Sequence, residues 1–127
     1  MNSLPRGVQR QVAKLNSITT GAGAIRFPSE VSRLELRLNK FVTPQSIGAK
    51  HFWRQDLPPI QFYNPQIPIS VRRFDSENAR KSELIVEYKD GSTKVVPAEN
   101  KPQSEILKEL VKLTGAFEIQ ESEQVRL

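Results

Sequence analysis

The side chains able to do chemistry in this chain are unevenly stocked: 127 residues contain one histidine, His51, and no cysteine. Without thiols there is no disulfide, thiolate nucleophile, iron–sulfur ligation or cysteine-bearing zinc site, and one imidazole cannot make a two-histidine metal centre. No serine, aspartate or cysteine signature sets a nucleophile beside His51, which reads as a surface polar residue. The acids cluster in the C-terminal part with no Gly-rich phosphate loop and no metal-ligand spacing, and a glycosidase-type carboxylate pair needs a cleft that so small a domain rarely supplies. Gly21-Ala22-Gly23-Ala24 resembles a fragment of a phosphate loop but lacks the third glycine and follows no strand, so it reads as a flexible joint. No catalytic constellation emerges, and no cofactor is called for.

What remains is binding chemistry, and it lies in the cations. The net charge of +5 is divided unequally: the first 74 residues hold eleven basic side chains against three acids, and the last 53 hold eight against eleven. A surface so divided suits a protein with one part on a polyanion and the other toward water or protein; a solvated mixed surface is the alternative reading. Within the first part, Arg6, Arg10, Lys14 and Arg26 stand in 26 residues with no acid. Lys50, His51 and Arg54 follow, and then the pair Arg72-Arg73.

The elements that must position these residues can be read from periodicity. Leu4, Val8, Val12 and Leu15 repeat at spacings of four, four and three, giving a short amphipathic helix with Arg6, Arg10 and Lys14 off its apolar stripe. A basic, acid-free N-terminal helix is the pattern both of a docking arm and of a mitochondrial import segment. From Val31 the period becomes two: Leu34, Leu36 and Leu38 alternate with Arg33, Glu35 and Arg37, a half-buried strand with its charged face outward. A helix is expected to open near Thr43-Pro44-Gln45-Ser46, with Ser46 as cap, and to stop near Leu57 at Pro58-Pro59. It should gather Ala49, Phe52, Trp53 and Leu57 on one side and Lys50, His51 and Arg54 on another. The tract from Leu57 to Pro68 carries enough proline to be expected as an extended crossing segment. A second strand follows at Ile69 to Phe74, and Asp90-Gly91 joins two β-rich runs as a hairpin. A last helix begins near Pro102-Gln103, buries Ile106, Leu107, Leu110, Val111 and Leu113, and ends at Gly115.

Strand–helix–strand with a crossover of about thirty residues implies a parallel pair, to which the hairpin adds antiparallel strands. The expected fold class is therefore α/β, a four-stranded mixed sheet in the order β-α-β-β-β-α with packed helices, which is the minimal thioredoxin-like arrangement. Residues 1–29 form a basic N-terminal arm, 30–115 the thioredoxin-like domain, and 116–127 an acidic tail. No apolar run approaches the ~20 residues needed to span a bilayer, and no membrane insertion is expected.

The run from Ile47 to Pro65 carries a resemblance. Gly48, Ala49, Lys50, Phe52, Trp53, Leu57, Pro58, Tyr63, Asn64 and Pro65 match the signature of a small thioredoxin-like domain family. That family is shared by mitochondrial ribosomal proteins and an accessory subunit of respiratory complex I. Upstream, residues 21 to 27 are similar to the lead-in of the ribosomal members, and the resemblance spans roughly residues 21 to 115. The fungal-type large-subunit member is the most similar, with a small-subunit relative and the complex I subunit as alternatives; the latter is shorter at its N-terminus and usually carries cysteines.

The resemblance implies a structural role in the mitochondrial ribosome, in the mitochondrial matrix, without catalysis, cofactor or small-molecule substrate. The implied partners are ribosomal RNA and neighbouring mitoribosomal proteins. On that reading Arg6, Arg10, Lys14, Arg26, Lys50, His51, Arg54, Arg72 and Arg73 are the expected RNA contacts, each of which is otherwise a solvated surface residue. Phe52 and Trp53 are expected in the core rather than stacked on bases, and Tyr63 in a loop.

Overall fold

The computed structural model describes residues 4–126. Along the chain it shows α1 (Arg6–Thr19), β1 (Ile25–Arg26), β2 (Val31–Asn39), α2 (Ile47–His51), a π-helical turn (Phe52–Asp56) and α3 (Leu57–Tyr63). There follow β3 (Ile69–Phe74), β4 (Glu83–Tyr88), β5 (Thr93–Pro97), α4 (Gln103–Thr114), β6 (Phe117–Glu118) and a 3₁₀ turn (Glu121–Glu123).

The four-stranded mixed sheet is present, in the order β3-β2-β4-β5. Strand β2 lies parallel to β3 and antiparallel to β4, and β4 lies antiparallel to β5. Leu36 sits between Val71 and Leu84 in this register. Since facing residues of paired strands point the same way, the leucines of β2 share one face with Ile69, Val71, Leu84, Val86 and Val96. Both helical layers cover that face: Phe52, Leu57 and Ile60 join Ile106, Leu107 and Leu110 in one core with it. The opposite face carries the alternating Arg33, Glu35 and Arg37 of β2. There Arg37 pairs with Glu35 of its own strand at 3.0 Å and across to Glu83 of β4 at 3.5 Å, and Arg33 pairs across to Glu87 at 3.6 Å.

The proline tract departs from the expectation. Leu57 to Tyr63 is helical, not extended, and Pro58-Pro59 does not stop the preceding helix. Both prolines fall in the first turn of α3, where a missing N–H leaves no bond unmade. Upstream the chain widens to a π turn, and the Leu57 N–H reaches back five residues to the Phe52 carbonyl. Ser46 does occupy the cap position of α2, but its side chain makes no capping bond; it accepts instead from the Thr43 N–H at 2.9 Å.

Two further departures concern the flanks. The segment expected as a flexible joint is packed: Gly23 is buried, and a Cβ on it would stand 2.4 Å from the Asp56 carbonyl oxygen. Beyond it β1 pairs antiparallel with β6, a two-stranded ribbon invisible to period analysis because each strand is two residues long. Helix α1 forms as expected, yet Leu4, Val8 and Leu15 on its stripe remain exposed. At its end the Tyr63 hydroxyl donates to the Thr19 carbonyl at 2.5 Å and accepts from the Val125 N–H at 2.9 Å, so Tyr63 is a buried anchor rather than a loop residue.

Candidate nucleic-acid interface

The nine basic candidates fall into four places. Arg6, Arg10 and Lys14 recur every four residues along α1, on one side of the helix and exposed. Arg26 is exposed on the β1–β6 ribbon. Lys50 is half-buried and His51 exposed in the last turn of α2, with Arg54 exposed on the π turn. Arg72 and Arg73 are exposed on β3, at the edge of the sheet.

The fold brings Arg54 and Arg73 together through Trp53. Trp53 is half-buried against the core; the Arg54 guanidinium lies 4.7 Å and that of Arg73 5.4 Å from its ring centroid. Arg73 faces the helical layer because it is in register with Leu38, and this is why it reaches a tryptophan on the π turn. Arg72, one residue earlier, is in register with Arg37 and points to the opposite face. It stacks on Phe74 at 5.2 Å, and Arg80 stacks on the same ring at 5.2 Å. Guanidinium on aromatic keeps a planar cation fixed and still able to bond outward.

Arg80 and Lys40 complete this edge and were missed in the sequence, since both lie in polar turns without periodicity. Asn39 holds the turn: its side chain donates to the Arg80 carbonyl at 2.7 Å and accepts from the Arg80 N–H at 2.9 Å. Arg73 in turn donates to the Lys40 carbonyl at 3.3 Å. An asparagine closing a strand just before a Lys was the available signal.

The pairing pattern separates two kinds of cation. Among the described residues Arg33, Arg37, Lys101 and Arg126 are in ion pairs with glutamates. None of the nine candidates is, nor are Lys40 and Arg80. An arginine already paired offers little to an outside anion, whereas unpaired arginines fixed on rings are prepared for phosphate and for the face of a base. The arms are not one surface: His51 lines a separate hollow with Gly48 and Lys101. No grouping of three or more His, Cys, Asp or Glu among the described residues could hold a metal ion. No helix among them is long and apolar enough to cross a membrane.

Comparison with known proteins agrees with the resemblance. Residues 49–103 match the family model described as "Mitochondrial ribosomal protein L51 / S25 / CI-B8 domain". A large ribosomal subunit protein mL61 of Saccharomyces cerevisiae is 30% identical over 104 residues, covering 79% of this chain and 76% of its own. The mL61 of Neurospora crassa is 26% identical over 136 residues, covering 86% of this chain and 68% of its own. With the signature buried in the fold and relatives alike over most of both lengths, the chain belongs to the mitochondrial ribosomal protein L51 / S25 / CI-B8 family.

Proposed function

We propose that this chain is a structural protein of the large subunit of the mitochondrial ribosome, in the mitochondrial matrix, without catalytic activity or cofactor. Its β3 edge lies on ribosomal RNA, and its remaining surfaces lie against neighbouring ribosomal proteins. The single observation carrying the RNA assignment is that Arg54, Arg72, Arg73 and Arg80 are unpaired and laid on Trp53 and Phe74, while Arg33 and Arg37 on the same sheet are neutralised. The large-subunit placement is supported by the names of the relatives. We read the β-α-β-β-β-α core as a thioredoxin-like scaffold whose thiol chemistry no residue here can perform.

Two measurements test this. A tagged chain sedimented from mitochondrial lysate should travel with the large ribosomal subunit; co-migration with a membrane-bound respiratory complex overturns the assignment. Purified protein should bind single-stranded RNA with affinity falling steeply in salt. Replacing Arg72 and Arg73 by Gln should flatten the slope by about 0.7 per lost phosphate contact, and Arg33→Gln, which removes a paired cation, should not. Equal slopes for the two variants contradict the assignment of the β3 edge.

A further inference from the structure

Asp56 is the last residue of the π turn and is 4% exposed, yet its Oδ2 has no hydrogen-bond partner. A buried carboxylate left this way is costly, and natural folds seldom retain one without use. It lines a cleft of about 350 Å³ between the π turn, the Ala22–Ile25 lead-in and α4, whose floor is the apolar Ile25, Leu107 and Val111. Such a volume accepts one long side chain. The charged groups lining it besides Asp56 are Lys108 and Lys112 of α4 and Glu118 of β6, and among the described residues neither lysine forms an ion pair with Asp56. The backbone around Asp56 is fixed as well, since Gly23 packs on its carbonyl so closely that no Cβ fits.

We propose that this cleft is a docking site for an arginine side chain of a protein neighbour, its aliphatic stem on Ile25, Leu107 and Val111 and its guanidinium on the Asp56 carboxylate. Charge complementarity selects the occupant: the unmet group is an anion at the end of an apolar trough. Arginine, weakly hydrated and multiply donating, is the cation that burial penalises least. Burial raises the Asp56 carboxyl from 3.8 to about 6, the direction expected of a buried carboxylate with no cation paired to it. The proposal rests on the reading that the chain works among protein neighbours.

The test uses the full chain and n-butylguanidinium, followed by the methyl signals of Ile25, Leu107 and Val111. Saturable shifts are expected at pH 7. Since the probe stays charged, affinity should fall about tenfold by pH 5, where a carboxyl titrating near 6 is mostly protonated. Asp56→Asn should weaken binding at least tenfold with the spectrum otherwise folded, and n-butylurea should not bind. Val111→Arg, which supplies a guanidinium from within, should exclude the probe and lower the Asp56 titration point. Shifts that do not saturate, or an Asp56→Asn response equal to that of the parent, overturn the proposal. So does tighter binding of n-butylammonium, or a titration point that rises when Lys108 and Lys112 become Gln, which would make the chain's own lysines the partner. All of this is read without ribosomes, so its failure is distinct from failure of the ribosomal assignment.

Discussion

Replacing Asn64 by Leu should cost this protein a large part of its stability. Asn64 is fully buried at the end of α3, and its side chain serves three backbone groups. Its Oδ1 accepts from the Phe27 N–H at 2.9 Å, while its Nδ2 donates to the carbonyls of Ile25 at 2.9 Å and Ile60 at 2.7 Å. Leucine has the same branched outline, though its methyls are bulkier, and it leaves all three groups without a partner where water does not reach. At about 1 to 3 kcal/mol for each abandoned buried group, and with some relaxation of the lead-in, a loss of about 3 to 5 kcal/mol follows. Against a total of about 5 to 15 kcal/mol this is severe. In urea, with a slope near 2 kcal/mol per molar, the midpoint should fall by about 2 M. Hydrogen exchange should show the Phe27 amide losing protection first, because it loses its acceptor directly. A loss below about 1 kcal/mol, or unchanged exchange at Phe27, would refute the reasoning that Asn64 fastens the lead-in to the helix.

Other predictions rest on equally local geometry. Gly48→Ala should destabilise strongly, seen as a lowered Tm, because its Cβ would stand 1.8 Å from the Lys101 carbonyl oxygen and both sides of the contact are backbone. Asp56 titrates higher in the folded chain than in the unfolded one, so its ionisation opposes folding: no penalty exists below about pH 3.8, it grows as pH rises, and it is complete above about pH 6. Asp56→Asn should therefore gain stability relative to the parent as pH is raised from 4 to 7, read from unfolding midpoints at each pH. Tyr63→Phe should cost about 1 kcal/mol and raise the proteolytic sensitivity of α1 and of the chain near Val125, since one hydroxyl bonds both.

The strands and the last helix were legible because their burial is one-sided and regular: the alternation of Leu34 to Leu38, the Asp-Gly turn and the Gly115 cap each state a geometry locally. Gly115 does adopt the left-handed conformation, at φ 72°. The proline tract misled because composition does not say where in a helical turn a proline falls. The nine basic residues could be named from charge, but not ranked, because what distinguishes Arg73 from Arg33 is a neighbour distant in sequence: Trp53 for one, Glu87 for the other. The signature that carried the family resemblance is chiefly a packing signature. Gly48, Ala49, Phe52, Leu57, Tyr63 and Asn64 are all buried. It identifies the scaffold while remaining silent about the surface.

The ribbon between β1 and β6 carries a consequence for how the chain is completed during synthesis. Ile25 and Arg26 are made about ninety residues before their partners Glu118 and Phe117, and Ala24 likewise waits for Ile119, whose N–H it accepts at 2.8 Å. Loop closure over such a span is slow, so the ribbon cannot close until the sheet and α4 have formed, even though Asn64 can already hold Ile25 and Phe27 against α3. A nascent chain halted after Thr114 would hold its strands while the cleft beside Asp56 lacked its β6 wall at Glu118. Phe117 to Ile119 thus act as a latch, and any partner recognising that cleft would meet it complete only on chains in which this segment has been made and has closed on the lead-in.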